Sequence, residues 1–260
     1  MFQLHSIPFR ILLRNMFDAM EPHQVKFTFP MVASVAAKNP TLTREILTRG
    51  HEIAVHGFKH LNYSYLTEQQ QDYDIKKALT AFNTMDVPVC GFRAPYNTYT
   101  EDTPRLLEKY GFIWDIGIGY NPKYREGTSP FRVEIGNHDS TFVCIPLNRL
   151  SDDLMIDIQG FSSHQIAEAL KCVIKETSKK GGVVMFDLHP IRIGQPKYVD
   201  VLRQIVEYGT ELNGWFPTVT EAVNYWNENG SWRHDNSFCC LLTGDIDNFS
   251  FLDYLQRLFS

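Results

Sequence analysis

A chain of 260 residues with 43% apolar content can bury one sizeable core, and nothing in its composition points to disorder. A formal charge of −5, with no basic run beyond Lys179-Lys180, argues against nucleic acid or an anionic membrane as partner. No segment approaches the roughly 20 apolar residues that span a bilayer.

From the N-terminus, Met1 to Met16 is interrupted by Arg10 and Arg14 and lacks a small-residue cleavage site, so it does not read as a signal peptide. Ile7 to Met20 has helical periodicity and Val25 to Phe29 reads as a strand. Asn39-Pro40, then Thr41 to Arg49 closed by Gly50, carries helix start and stop signals, and His51 to Val55 reads as a short buried strand. Thr67 to Met85 reads as a long helix, Val89 to Arg93 as a strand, Asp102 to Tyr110 as a helix and Phe112 to Ile116 as a strand. Gly119 to Asp139 is rich in Pro, Gly and Asn and reads as loop with at most a short strand near Phe131 to Ile135. The strand Phe142 to Ile145, the helix Ser163 to Thr177 and the apolar strand Val183 to Phe186 continue the alternation. The helix Tyr198 to Tyr208, the strand Trp215 to Val219 and the helix Glu221 to Asn227 follow. A last unit has a strand at Phe238 to Thr243, then Gly244-Asp245-Ile246-Asp247-Asn248, then a helix at Ser250 to Leu258. This alternation favours an α/β fold with a parallel sheet or barrel, taken as one domain over residues 1–260. The five cysteines (Cys90, Cys144, Cys172, Cys239 and Cys240) are scattered and mostly lie in apolar runs. They read as buried free thiols in a reducing compartment, and with the missing signal they predict a cytoplasmic protein.

The segment Gly50-His51-Glu52-Ile53-Ala54-Val55-His56-Gly57-Phe58-Lys59-His60 carries the main chemical signal. On a helical turn, positions four apart share a face, so His56 and His60 can aim two imidazoles at one divalent metal. The competing reading is two surface histidines that share a turn.

With Arg93-Ala94-Pro95-Tyr96 and Leu188-His189-Pro190 downstream, the chain resembles the polysaccharide deacetylases, the chitooligosaccharide deacetylase-like carbohydrate esterases of family four, from about Pro8 to Trp226. That resemblance implies a distorted (β/α) barrel of about seven strands. It also implies a divalent metal held by an Asp and the two histidines of an H-x-x-x-H motif. The family's first strand ordinarily precedes the segment matching Ile7 to Phe29 and brings two acids, one the catalytic base and one a metal ligand. Met1 to Ser6 contains no acid, whereas Leu241-Leu242-Thr243-Gly244-Asp245-Ile246-Asp247-Asn248 looks like such a strand in Asp-x-Asp form. Two carboxylates two apart on a strand lie on the same face. The expectation is therefore a circular permutant, with residues 238–260 supplying the first strand and its helix. The alternatives are that Asp245 and Asp247 cap the helix near Ser250 or sit in an ordinary turn, or that a truncated second repeat begins at Phe238.

On this reading Asp247, His56 and His60 hold the metal, zinc first, with Co, Ni, Mn or Fe also suited. Asp245 is the base, Arg93 its partner, and His189 the acid that protonates the leaving amine. Tyr96 and Pro95 flank an oxyanion site, and Tyr96, Trp114, Tyr120 and Trp215 are candidates for a sugar-stacking surface. Asp115 and Asp187 both lie near strand ends and are candidates to orient His189. The activity implied is removal of an N-acyl group, in the first place N-acetyl, from an amino sugar or glycan. The alternatives are hydrolysis of a linear or cyclic non-sugar amide such as a ureide, or an inactive binding module. A small-molecule or glycan substrate is the expected partner, with a homo-oligomer or an exchanged C-terminal strand as open arrangements.

Overall fold

The computed structural model describes residues 7–124, 127–232 and 236–249. The first half of the chain forms α1 (Phe9–Met20), β1 (Thr28–Met31), α2 (Ala33–Lys38), α3 (Pro40–Thr48), β2 (Glu52–Val55), α4 (Glu68–Thr84), β3 (Gly91–Phe92) and α5 (Asp102–Lys109). Next come β4 (Trp114–Asp115), β5 (Glu134–Ile135), β6 (His138–Asp139), β7 (Val143–Cys144), α6 (Ser163–Lys180) and β8 (Val183–Asp187). The rest is α7 (Pro190–Ile193), α8 (Asp200–Glu211), β9 (Gly214–Trp215), α9 (Val219–Asn229) and β10 (Phe238–Thr243). Residues Met1–Ser6 and the expected helix after Ser250 lie outside the described residues.

Local chemistry explains most of these boundaries. Thr67 with Gln70, Ser162 with Gln165, and Thr218 with Glu221 form reciprocal capping boxes that start α4, α6 and α9. Pro40, at the first turn of α3, needs no N–H partner there. Gly181 takes the left-handed conformation that closes α6, at φ 71°. The structure differs from expectation at several places. The strand expected at Val25 to Phe29 starts at Thr28 and runs through Pro30. It can do so because the Pro30 carbonyl accepts Ile246 N–H at 2.8 Å, which turns the donor-less nitrogen toward the stretch where β10 has stopped pairing regularly. The short helix α2 is an addition to the expected elements, and the strands expected at 89–93, 112–116 and 215–219 contract to two-residue pairings.

The sheet is parallel, in the order β7-β4-β3-β2-β1-β10-β8, with β9 pairing the start of β10. It curls into a half-barrel of seven strands, as expected. β5 and β6 form a separate antiparallel hairpin: β5 falls within the short strand allowed near Phe131 to Ile135, and β6 is an addition in the stretch expected to be loop. The strand latest in sequence therefore lies inside the sheet: Cys239 to Thr243 pair with Val183 to Asp187, and Thr243 pairs with Thr28. Every residue of β10 is buried, as a strand covered on both faces requires. One sheet face packs with α9, through Ala54, Trp114, Met185, Leu241, Val219 and Val223. The other packs with α1 to α6 and α8, through residues such as Val55, Phe92, Phe186 and Leu242. The cysteines are free: Cys144, Cys239 and Cys240 are buried, Cys90 is half-buried and Cys172 is exposed. Among the described residues, no helix is long and apolar enough to cross a membrane.

Candidate active site

Parallel strands deliver their next residues to one end of a sheet, and the chemistry-bearing side chains gather there. His56 directly follows β2 and is fully buried. Its Nδ1–H donates to the Arg93 carbonyl at 2.8 Å, which fixes the tautomer and leaves Nε2 with its lone pair. That Nε2 is buried and makes no hydrogen bond. It lies 3.5 Å from Asp247 Oδ1 and 3.5 Å from Asp245 Oδ2, and His60 Nε2 lies 3.3 Å from the same Asp247 oxygen. Metal–ligand bonds near 2.1 Å in a tetrahedral shell set donor atoms roughly 3.4 Å apart, so His56, His60 and Asp247 fit one divalent ion. Burial pushes the His56 pKa down from 6.5 to about 4, which keeps it the neutral imidazole a metal needs.

The pairing of His56 with His60 has a different cause from the helical turn expected. Residues 56–60 form a non-helical loop. Gly57 turns the chain with φ 73°, and the Asp74 carboxylate of α4 accepts Phe58 N–H at 2.9 Å and Lys59 N–H at 3.2 Å. The loop folds back, and the two imidazole rings come within 5.1 Å, centroid to centroid.

Arg93, following β3, is fully buried and joins the acids. Its Nη1 donates to Asp245 at 2.6 Å and to Asp187 at 2.8 Å, and its Nη2 donates to Thr243 Oγ1 at 2.9 Å. Burial raises the Asp245 pKa against the pull of Arg93, and Asp187 adds to the rise. Burial pushes the Asp187 carboxyl up, yet Arg93 and His189 together outweigh that and hold it low. His189, just after β8, keeps a pKa well above 6.5: burial opposes the charge, but Asp187 and Asp152 overcome it.

The carboxylate that orients His189 is Asp152, at 2.7 Å from Nδ1. Neither expected candidate makes that bond. Asp187 lies 3.9 Å from His189 Nε2 and is engaged by Arg93, while Asp115 accepts Gly117 N–H at 2.9 Å and Ile118 N–H at 2.7 Å. Asp152 precedes a π-helical turn at Asp153–Ile158, and in the sequence only the acidic pair Asp152-Asp153 after a polar loop hints at it.

Tyr96 is 60% exposed, packs edge-on against His60 at 4.4 Å, and takes a left-handed backbone conformation at φ 60°. Pro95 is buried beneath it. Tyr120 is also exposed. Trp114 must be withdrawn from the substrate surface. Its side chain is fully buried against α9 and donates Nε1–H to Thr220 Oγ1 at 2.8 Å, because alternation along β4 turns it away from the site. Trp215 pairs at the start of β10, the opposite end of that strand from Asp245, and stacks edge-on with Tyr225 at 5.5 Å.

Residues 10–113 match the polysaccharide deacetylase family. The peptidoglycan deacetylase-like protein FGM2 of Gibberella zeae is 38% identical over 81 residues, which is 30% of this chain and 24% of that protein, so the match spans about a quarter of that relative's length. A Mycobacterium smegmatis protein described as a polysaccharide deacetylase superposes with a TM-score of 0.74 at 21% identity, covering 85% of this chain and 78% of that one. Puue allantoinase superposes with a TM-score of 0.71 at 20% identity, covering 85% and 74%. At these identities the two structures speak for the fold.

Proposed function

We propose, on the premise that this chain carries a polysaccharide deacetylase domain of the hydrolase family named above, that it removes an N-acyl group, in the first place N-acetyl, from an amino sugar or glycan. The observation that carries the reading is the convergence of His56, His60 and Asp247 beside an Arg93-held Asp245 and an Asp152-held His189. Asp247, His56 and His60 would hold one divalent cation, zinc first among Zn, Co, Ni, Mn and Fe. When bound, that ion supplies Lewis acidity toward a carbonyl oxygen and acidifies water.

The chain's own groups then divide the proton work. Asp245, oriented by Arg93 and raised in basicity by burial, takes a proton from the water that attacks the amide carbon. His189 is charged through Asp187 and Asp152 and delivers its proton to the departing nitrogen, which leaves as a neutral amine. The backbone N–H of Tyr96, aimed by its left-handed conformation, would donate to the carbonyl oxygen as it gains charge. Tyr96 and Tyr120 offer exposed rings on which a sugar can stack. The order β1-β10-β8 also supports the permutation reading, with β10 in the role of the family's first strand within a single domain over residues 1–260.

Metal content tests this directly. Elemental analysis of the wild type should give about one equivalent of divalent metal, and His56→Ala and Asp247→Ala should each lose it. Acetate release from N-acetylated chitooligosaccharides should follow the same pattern. Loss of metal in His56→Ala alone would remove Asp247, and with it the C-terminal strand, from the site. The second substrate class is a non-sugar amide such as a cyclic ureide, and ring opening of such a ureide without acetate release would move the reading there.

A further inference from the structure

Resting on that reading of the metal site, we propose that Asp74 of α4 is the positioning residue that sets the spacing of His56 and His60. Outside a helix, residues four apart have no fixed relation, so something must hold the loop between them. Asp74 is buried and its carboxylate takes three donors: Phe58 N–H at 2.9 Å, Lys59 N–H at 3.2 Å and the Tyr63 hydroxyl at 2.9 Å. The first two lie between the histidines, and the third lies just beyond His60. The same carboxylate presses on the turn itself, since a Cβ on Gly57 would stand 2.7 Å from Asp74 Oδ2 and 2.8 Å from the Lys59 carbonyl. Glycine is thus required at 57 by its positive φ and by the close approach of the acid.

The chemistry calls for a carboxylate. Its oxygens only accept, and all three partners donate. An amide of the same shape would turn an NH2 group toward one of these donors. A second link fixes the far end of the loop: Thr98 Oγ1 accepts Tyr63 N–H at 3.1 Å and lies 2.8 Å from Asn62 Oδ1, tying it to the segment after Tyr96. The effect of Asp74 passes through the backbone of residues 57–59.

The test compares Zn(II) affinity, the Co(II) visible spectrum and the apo melting temperature in the wild type, Asp74→Asn, Tyr63→Phe and His60→Ala. Asp72→Asn serves as control, because Asp72 lies on the same helix but pairs with Lys109 and Tyr110. We expect Asp74→Asn to weaken Zn(II) binding by about 10- to 100-fold and to shift the Co(II) bands. Tyr63→Phe should produce a smaller loss and Asp72→Asn none. Unchanged affinity and spectrum in folded Asp74→Asn, while His60→Ala abolishes binding, overturns the proposal alone. If Asp74→Asn does not fold, unchanged affinity and spectrum in Tyr63→Phe overturn it in the same way. If His60→Ala binds as the wild type does, the metal-site reading fails, and this proposal with it.

Discussion

His189 shows how much a residue's chemistry depends on groups distant in sequence. Its position after β8 and its motif make it a candidate acid from the sequence, but its charge is maintained by Asp152 and Asp187. Asp152→Asn removes the charge partner on Nδ1 and lowers the His189 pKa. An acid that must be protonated loses activity as pH rises through its pKa, so the alkaline limb of the rate profile should move to lower pH in Asp152→Asn. Its plateau rate should fall by about 10- to 100-fold. A pH–rate profile of wild type and variant checks this, and an unmoved limb would mean that another group delivers the proton. Asp152 is not legible in the sequence because one carboxylate of an acidic pair looks like any other until burial singles it out. The histidines, Arg93 and the Asp-x-Asp pair are legible because each carries a motif.

Among the elements, those with local signals can be read from the chain. The capping boxes, Pro40 and the closing glycines act within a few residues, so the starts of α3, α4, α6 and α9 carry signals in the sequence, as do the stops of α6 and α9. Strand lengths do not show, because pairing depends on neighbours. β3 and β4 are two residues each and meet at Gly91 and Trp114. A Cβ at Gly91 would fall 2.0 Å from the Trp114 indole, so glycine is imposed by a residue on the next strand. Gly91→Ala should cost about 1–3 kcal/mol by overpacking, measured by urea denaturation. The same contact explains why Trp114 serves the core instead of a sugar. Alternation along so short a strand leaves its face undecided until the partner is known.

For the whole molecule, the decisive fact is that β10 lies between β1 and β8. Removing residues 238–260 would strip β1, β8 and β9 of a partner and expose apolar surface on both faces of the sheet. The shortened chain should show no cooperative thermal transition and bind no divalent metal, as followed by circular dichroism and elemental analysis. A folded, metal-binding truncation would refute the central role of this strand. By itself the sequence determined the α/β alternation, the placement of the longer helices and most of the residue types at the site, since periodicity, capping and motifs are local properties of a chain. Only the tertiary structure decided that Asp245 and Asp247 meet His56 and His60, that Asp152 orients His189, and that Asp74 closes the histidine loop. Those relations join residues 15 to nearly 200 positions apart, and their distances follow from strand order and burial, which no local pattern encodes.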